Sequence, residues 1–149
     1  MTGRASAAAF DLPGAHVIEV QVQPADVDAY EHVNNAVYLT WLDRVAWSHS
    51  AALGVPLETC LALRRGMAAQ RIEIDYLRAA VRGERIQAAT WIVGADGRLR
   101  AERRFQIRRA SDGATLARAR VDYVCINLDS GRAARMPEMF ARAYVVTAP

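Results

Sequence analysis

The chain has 149 residues, of which 52% are hydrophobic and 23% charged, the size of one ordinary domain with enough apolar material to build a core without disulfides or metal. That balance excludes disorder, and no apolar run approaches the roughly 20 residues that a membrane-spanning helix needs. The net charge is +3 and all 19 basic residues are Arg, with no Lys in the sequence. They are scattered and not massed in one stripe with interleaved aromatics, which argues against nucleic acid and suits phosphate-bearing small ligands.

Residues 1–149 read as a single domain, with 1–13 as a flexible leader that lacks the apolar core and cleavage site of a secretory signal. A cytoplasmic location and no membrane insertion follow as expectations. The two cysteines, Cys60 in an expected loop and Cys125 in an expected strand, have neither CxxC spacing nor a nearby His pair. They read as reduced thiols, and neither a metal nor a cofactor is expected.

Taken in chain order, residues 15–22 alternate as a strand that stops at Pro24. From about Asn34 the period becomes helical, with Tyr38, Leu42, Val45, Ala46, His49, Ala52 and Leu53 at three- and four-residue steps. Asn34 or Asn35 supplies a cap, and Gly54 with Pro56 a stop. Trp41 and Trp47 widen the apolar stripe, so protein should wrap this helix on most sides. After a loop at 61–66, Ile72, Ile74 and Tyr76 alternate with Arg71, Glu73 and Asp75, a strand with one wet face. Further alternating runs at 85–93, 99–108 and 116–127 are separated by Asp96-Gly97 and Asp112-Gly113, both hairpin-turn dipeptides. The tail has a turn at Asp129-Ser-Gly131 and a short helix near 137–143 begun by Pro137.

Strands of about 11 residues extend roughly 36 Å and a helix of about 19 residues roughly 28 Å, so the sheet can curl along the whole helix. The expected fold is α+β: a five-stranded antiparallel sheet wrapped around one long central helix, the hotdog arrangement. Its open edge strands favour pairing with a second copy, giving a homodimer or a dimer of dimers.

Asp26, Asp28, Glu31, His32, Asn34 and Asn35 crowd into the loop before the helix. As generic polar residues they would make an acidic turn with asparagine caps. The string Asp28-Ala-Tyr-Glu-His-Val-Asn-Asn-Ala-Val-Tyr38-Leu, however, resembles the helix-entry signature of the 4-hydroxybenzoyl-CoA thioesterase-like hotdog family. The resemblance continues through Trp41-Leu-Asp-Arg-Val-Ala-Trp47, Ile72-Glu-Ile-Asp-Tyr-Leu-Arg78 and Asp122-Tyr-Val-Cys-Ile-Asn-Leu128, with bacterial long-chain acyl-CoA thioesterases most similar in look. Two departures stand out: many relatives have Gly where this chain has Glu31, and Arg-Pro where it has Arg78-Ala79.

The resemblance implies hydrolysis of a fatty acyl-CoA, medium to long chain, to free acid and CoA. It places the catalytic carboxylate at Asp28, as nucleophile or general base, and the oxyanion donor at the backbone N–H of Asn35. His32 is a candidate for orienting Asp28, and Asn34 for a loop or substrate contact. Arg78, Arg103 and Arg104 are candidates for the CoA phosphates, whereas His16 and His49 read as structural. No G-x-S-x-G elbow is present, which leaves a carboxylate as the available nucleophile or base. A thiolate leaving group needs little help, since a thiol ionises near about pH 8.5. An acyl-carrier-protein thioesterase and a non-catalytic acyl-CoA-binding protein are the alternatives. A hotdog dehydratase is disfavoured by the absence of its Asp-x-Asn-Pro-x-His form.

Overall fold

The computed structural model describes residues 9–148. In chain order the elements are β1 (His16–Gln21), a 3-10 turn (Pro24–Asp26), α1 (Asn35–Ala52), α2 (Leu57–Leu63), β2 (Arg65–Tyr76), β3 (Arg85–Ala95), β4 (Arg100–Arg109), β5 (Thr115–Asn127) and α3 (Glu138–Ala143). The five strands form one sheet in the order β1-β3-β4-β5-β2, and every pairing is antiparallel. This is the hotdog arrangement expected from the sequence. Among the described residues no helix is long and apolar enough to cross a membrane.

Local chemistry sets the connections. At the β3–β4 hairpin, Asp96 Oδ1 accepts from the backbone N–H groups of Arg98, Leu99 and Arg100, and these donors hold its carboxyl down to about 2. Helix α1 begins where Asn34 Oδ1 accepts from the N–H of Ala36 at 2.9 Å, which resolves the choice of cap in favour of Asn34. It ends in a Schellman motif. Gly54 takes φ 93, its N–H donates to Ala51 O at 3.0 Å, and the N–H of Val55 donates to Ser50 O at 2.8 Å.

The main core lies between α1 and the inner face of the sheet, where Tyr38, Leu42 and Val45 meet Val20, Ile86, Phe105 and Ile107. Helix α1 packs over β1 and β3, so it covers one side of the inner face. At the other end Val55, Cys60, Ile92, Cys125 and Phe140 form a second cluster beneath α2 and α3.

Three features differ from expectation. Residues 57–63 form helix α2, which is too short for its periodicity to register in sequence, so Cys60 is buried in a helix and not in a loop. Protein does not wrap α1 on most sides within one chain, since Leu39 is 39% and Trp47 42% exposed. Of the leader expected at 1–13, residues 1–8 lie outside the described residues, but the rest is tied to the outer face of the sheet. There Phe10 packs edge-on against Trp91, and Asp11 pairs with Arg118 at 2.6 Å.

The segment that leads into α1 is a tight turn. Val27 bridges to Val33, the N–H of Asp28 donates to His32 O at 2.9 Å, and the N–H of Glu31 donates to Asp28 O at 3.0 Å. Closing this turn puts Glu31 at φ 65, a left-handed conformation that glycine adopts freely and a residue with a Cβ resists. Glu31→Gly should therefore stabilise the protein by up to about 1 kcal/mol, or on the order of 2–4 °C in Tm, while Glu31→Val should destabilise it. Thermal unfolding of the two variants checks this, and a lower Tm for Glu31→Gly would contradict it.

Candidate active site

The turn and the start of α1 build a polar site on the surface. Asp28 Oδ1 accepts from the N–H of Tyr30 at 2.8 Å; among the described residues Oδ2 has no hydrogen-bond partner, so one carboxylate oxygen stays available while the other fixes the side chain. Across the turn, the N–H of Asn34 donates to Asp26 O at 2.8 Å. Asn35 is the first residue of α1, and among the described residues its N–H meets no acceptor. A helix N-terminus leaves such amides unsatisfied and carries the positive end of the backbone dipole.

Tyr76, at the end of β2, holds this helix start in place. Its hydroxyl donates to Asn35 O at 3.0 Å, and its ring meets Tyr38 edge-on at 5.2 Å. Tyr38 Oη in turn accepts from the N–H of Ala80 at 3.1 Å, and the N–H of Val33 donates to Ala80 O at 2.9 Å. Turn, helix start and the β2–β3 connection thus form one hydrogen-bonded unit. Alternation alone puts Tyr76 on a strand face and gives no sign of this link to the helix start.

The sequence-derived candidates fall into distinct places. Asp28 and Asn35 sit on the two arms of the turn, and Asn34 serves as the helix cap. The exposed ring of His32 makes no hydrogen bond to Asp28; the two residues meet through the backbone only. Arg78 is exposed, two residues beyond Tyr76 in the chain. Arg104 lines a cleft on the outer face of the sheet with Asp11 and Trp91. Arg103 points inward and is only 4% exposed.

Around Arg103 lies a polar cluster that scattered sequence positions concealed. One terminal guanidinium nitrogen donates to His49 Nδ1 at 2.7 Å and the other to Ser50 Oγ at 3.2 Å. Tyr144 Oη reaches Ser50 Oγ at 3.1 Å. Since an arginine stays charged and only donates, Nδ1 of His49 must carry the lone pair, which makes the ring neutral. His16 stacks on His49 at 4.9 Å and bonds Ser48 Oγ at 2.8 Å. The cluster borders a small open cleft of about 60 Å³ between α1, the inner face of the sheet and the chain after α3; Asp43, Trp47, Met67 and Tyr123 also line it.

Burial first, then the Arg103 charge and His16, hold His49 down to about 4. The unfolded chain, with an ordinary histidine near about 6.5, therefore binds the proton more strongly. His49 contributes stability that is fully present above the unfolded value and is lost as the pH falls from there through about 4. Tm should fall over that window, and His49→Gln, which keeps an acceptor for Arg103, should flatten the fall. Burial and Arg103 also lower His16, so part of the slope should remain. An unchanged slope in His49→Gln would exclude the assignment.

A family model described as the thioesterase-like superfamily matches residues 22–144. No curated protein matches the sequence. Among solved structures, a 1,4-dihydroxy-2-naphthoyl-CoA thioesterase from Synechocystis is 24% identical over 88% of this chain and 96% of its own, with a TM-score of 0.78. A Staphylococcus aureus protein solved in complex with CoA is 18% identical over 91% of this chain and 85% of its own, with a TM-score of 0.80. The probable thioesterase YbaW from Escherichia coli is 22% identical over 87% of this chain and 99% of its own, with a TM-score of 0.72. At these identities the structures establish the shared hotdog fold. The family model spans the turn, α1 and strands β2 to β5, so this chain belongs to the thioesterase-like superfamily and is a thioester hydrolase.

Proposed function

We propose that the protein hydrolyses fatty acyl-CoA of medium to long chain to free acid and CoA. The observation that carries this reading is the unoccupied N–H of Asn35 at the start of an 18-residue helix, across one turn from the free Oδ2 of Asp28. The thioester carbonyl would receive the Asn35 N–H, whose donation strengthens as the oxygen becomes anionic. Asp28 would attack the carbonyl carbon or take the proton from an attacking water. In the first case the adduct with Asp28 expels thiolate and leaves a mixed anhydride that water then cleaves, and in the second the adduct formed by water expels thiolate directly. The exposed Arg78, close in sequence to Tyr76, is our candidate for a CoA phosphate contact, a reading supported by the solved relative in complex with CoA. An acyl group on carrier protein would present the same thioester.

The site is open in one chain. Ile72, Tyr76 and Leu77, at or near the β2 edge beside it, are 46%, 43% and 49% exposed. Strand β2 pairs only with β5, so its other edge is free along its length. We infer that a second copy pairs there and forms the far wall of the site, giving a homodimer or a dimer of dimers in the cytoplasm.

Purified protein offered a series of acyl-CoA and acyl-carrier-protein thioesters with a thiol reagent should turn over medium- to long-chain acyl-CoA best. Asp28→Asn keeps an oxygen for the Tyr30 N–H and should fold, yet lose about 100-fold or more in kcat. Turnover of no thioester, or full activity in Asp28→Asn, would overturn the proposal. Light scattering of the same samples should give at least twice the chain mass.

A further inference from the structure

The cluster around Arg103 asks for an anion. Its guanidinium is 4% exposed, and its hydrogen-bond partners, His49, Ser50 and Thr90, are all neutral. No carboxylate among the described residues forms an ion pair with it. A buried cation satisfied only by neutral acceptors keeps its hydrogen bonds but not its charge compensation, and a well-packed apolar side chain would serve stability better. The last turn of α1, where His49 and Ser50 lie, offers the negative end of the helix dipole, which offsets part of that cost.

The surroundings supply the rest of a receptor. The cleft that borders Arg103 has apolar walls from Ala46, Trp47, Met67 and Ile92, and Tyr123 lines it with a hydroxyl that makes no hydrogen bond among the described residues. Arg103 and Tyr123 lie within electrostatic reach of each other, so two donors converge on one apolar cleft. Asp43 is the one acidic residue on its lining. It is exposed, and it acts on Tyr123 without pairing with Arg103. Its position would repel small free anions at the mouth more than an anion carried inward on an apolar chain.

We propose that this cleft receives a carboxylate at the end of the acyl group remote from the thioester, so that the preferred substrates are monothioesters of dicarboxylic acids. This rests on the thioesterase reading above and narrows it. Along α1, Asp43 and Trp47 lie about 12–18 Å beyond Asn35 at 1.5 Å per residue, a span for a chain of medium length or longer and not for a short acid. The apolar walls hold the methylenes, Arg103 and Tyr123 bind the terminal carboxylate, and Arg103 acts as a specificity-determining residue.

The test compares kcat/KM for ω-carboxyacyl-CoA and the alkanoyl-CoA of equal length, in the unaltered protein and in Arg103→Met. The unaltered protein should favour the carboxylated substrate by about tenfold or more, and Arg103→Met should bring the ratio to one or below. Calorimetric titration of the free dicarboxylate should show binding that Arg103→Met abolishes and a monocarboxylate of equal length does not reproduce. A ratio near one in the unaltered protein, or a ratio that Arg103→Met leaves intact, would overturn the inference. If neither thioester is hydrolysed, the activity reading falls, and the titration still decides the cleft. If Arg103→Met fails to fold, Tyr123→Phe takes its place: the ratio should drop severalfold, and no change would count against the proposal.

Discussion

A five-stranded sheet is too wide for one helix to cover. With strands about 4.8 Å apart, the outermost strand axes lie roughly 19 Å from each other, whereas a helix with its side chains is about 10–12 Å across. Helix α1 settles chiefly over β1 and β3, its core reaches Phe105 and Ile107 of β4 and Leu116 and Val121 of β5, and the remainder of the inner face is left to other means of cover. Helices α2 and α3 close one end with the cluster around Cys60, Cys125 and Phe140. The rest becomes the cleft beside Arg103 and the free edge of β2. The places where a ligand or a second copy can bind are thus consequences of the same shortfall in width.

The position of α1 also decides where its ends fall. Its start is held by the Asn34 cap, by the Tyr76 hydroxyl on Asn35 O, and by the Tyr38–Ala80 bond. These contacts tie residues 34–38 to residues 76–80, so the helix start cannot shift without breaking them. That rigidity is what an oxyanion donor needs, since it must be oriented before charge develops. The turn that presents Asp28 is closed by the same segment, and the left-handed backbone of Glu31 is the strain that accompanies it.

Much of the fold was legible in the sequence because its signals are local. Period-two alternation in β3, β4 and β5, the two Asp-Gly turns, and the Asn34 to Gly54 span of α1 all rest on neighbours within a few residues. Helix α2 was not legible, since seven residues hold too few periods to be distinguished from a loop. The order of strands was equally hidden, because nothing local tells β2 to cross to the far side of β5. The candidate site was legible through the resemblance of the Asp28–Leu39 string to a known family, while the strain at Glu31 shows only in its positive φ. The Arg103 cluster joins residues from α1, β3, β4 and the chain near α3, and no spacing rule connects these. Arg103 and Arg104 look alike in sequence, yet strand alternation sends one into the core and the other to the outer face.

Helix α1 presents opposite electrostatic ends to two different tasks. Its first turn leaves the Asn35 N–H without an acceptor among the described residues, where the proposed reading puts a developing negative charge, and its last turn offers carbonyls near a buried guanidinium. A dipole contributes at most about 2 kcal/mol at such an end, against a cost of several kcal/mol for a buried ion. It can therefore moderate the burial of Arg103 but not account for it. A residue kept at net cost to stability is explained by what it binds. The cleft beside it opens to the surface and gives an anion a way to reach it, and in the proposed reading the two ends of the helix face the two ends of one substrate.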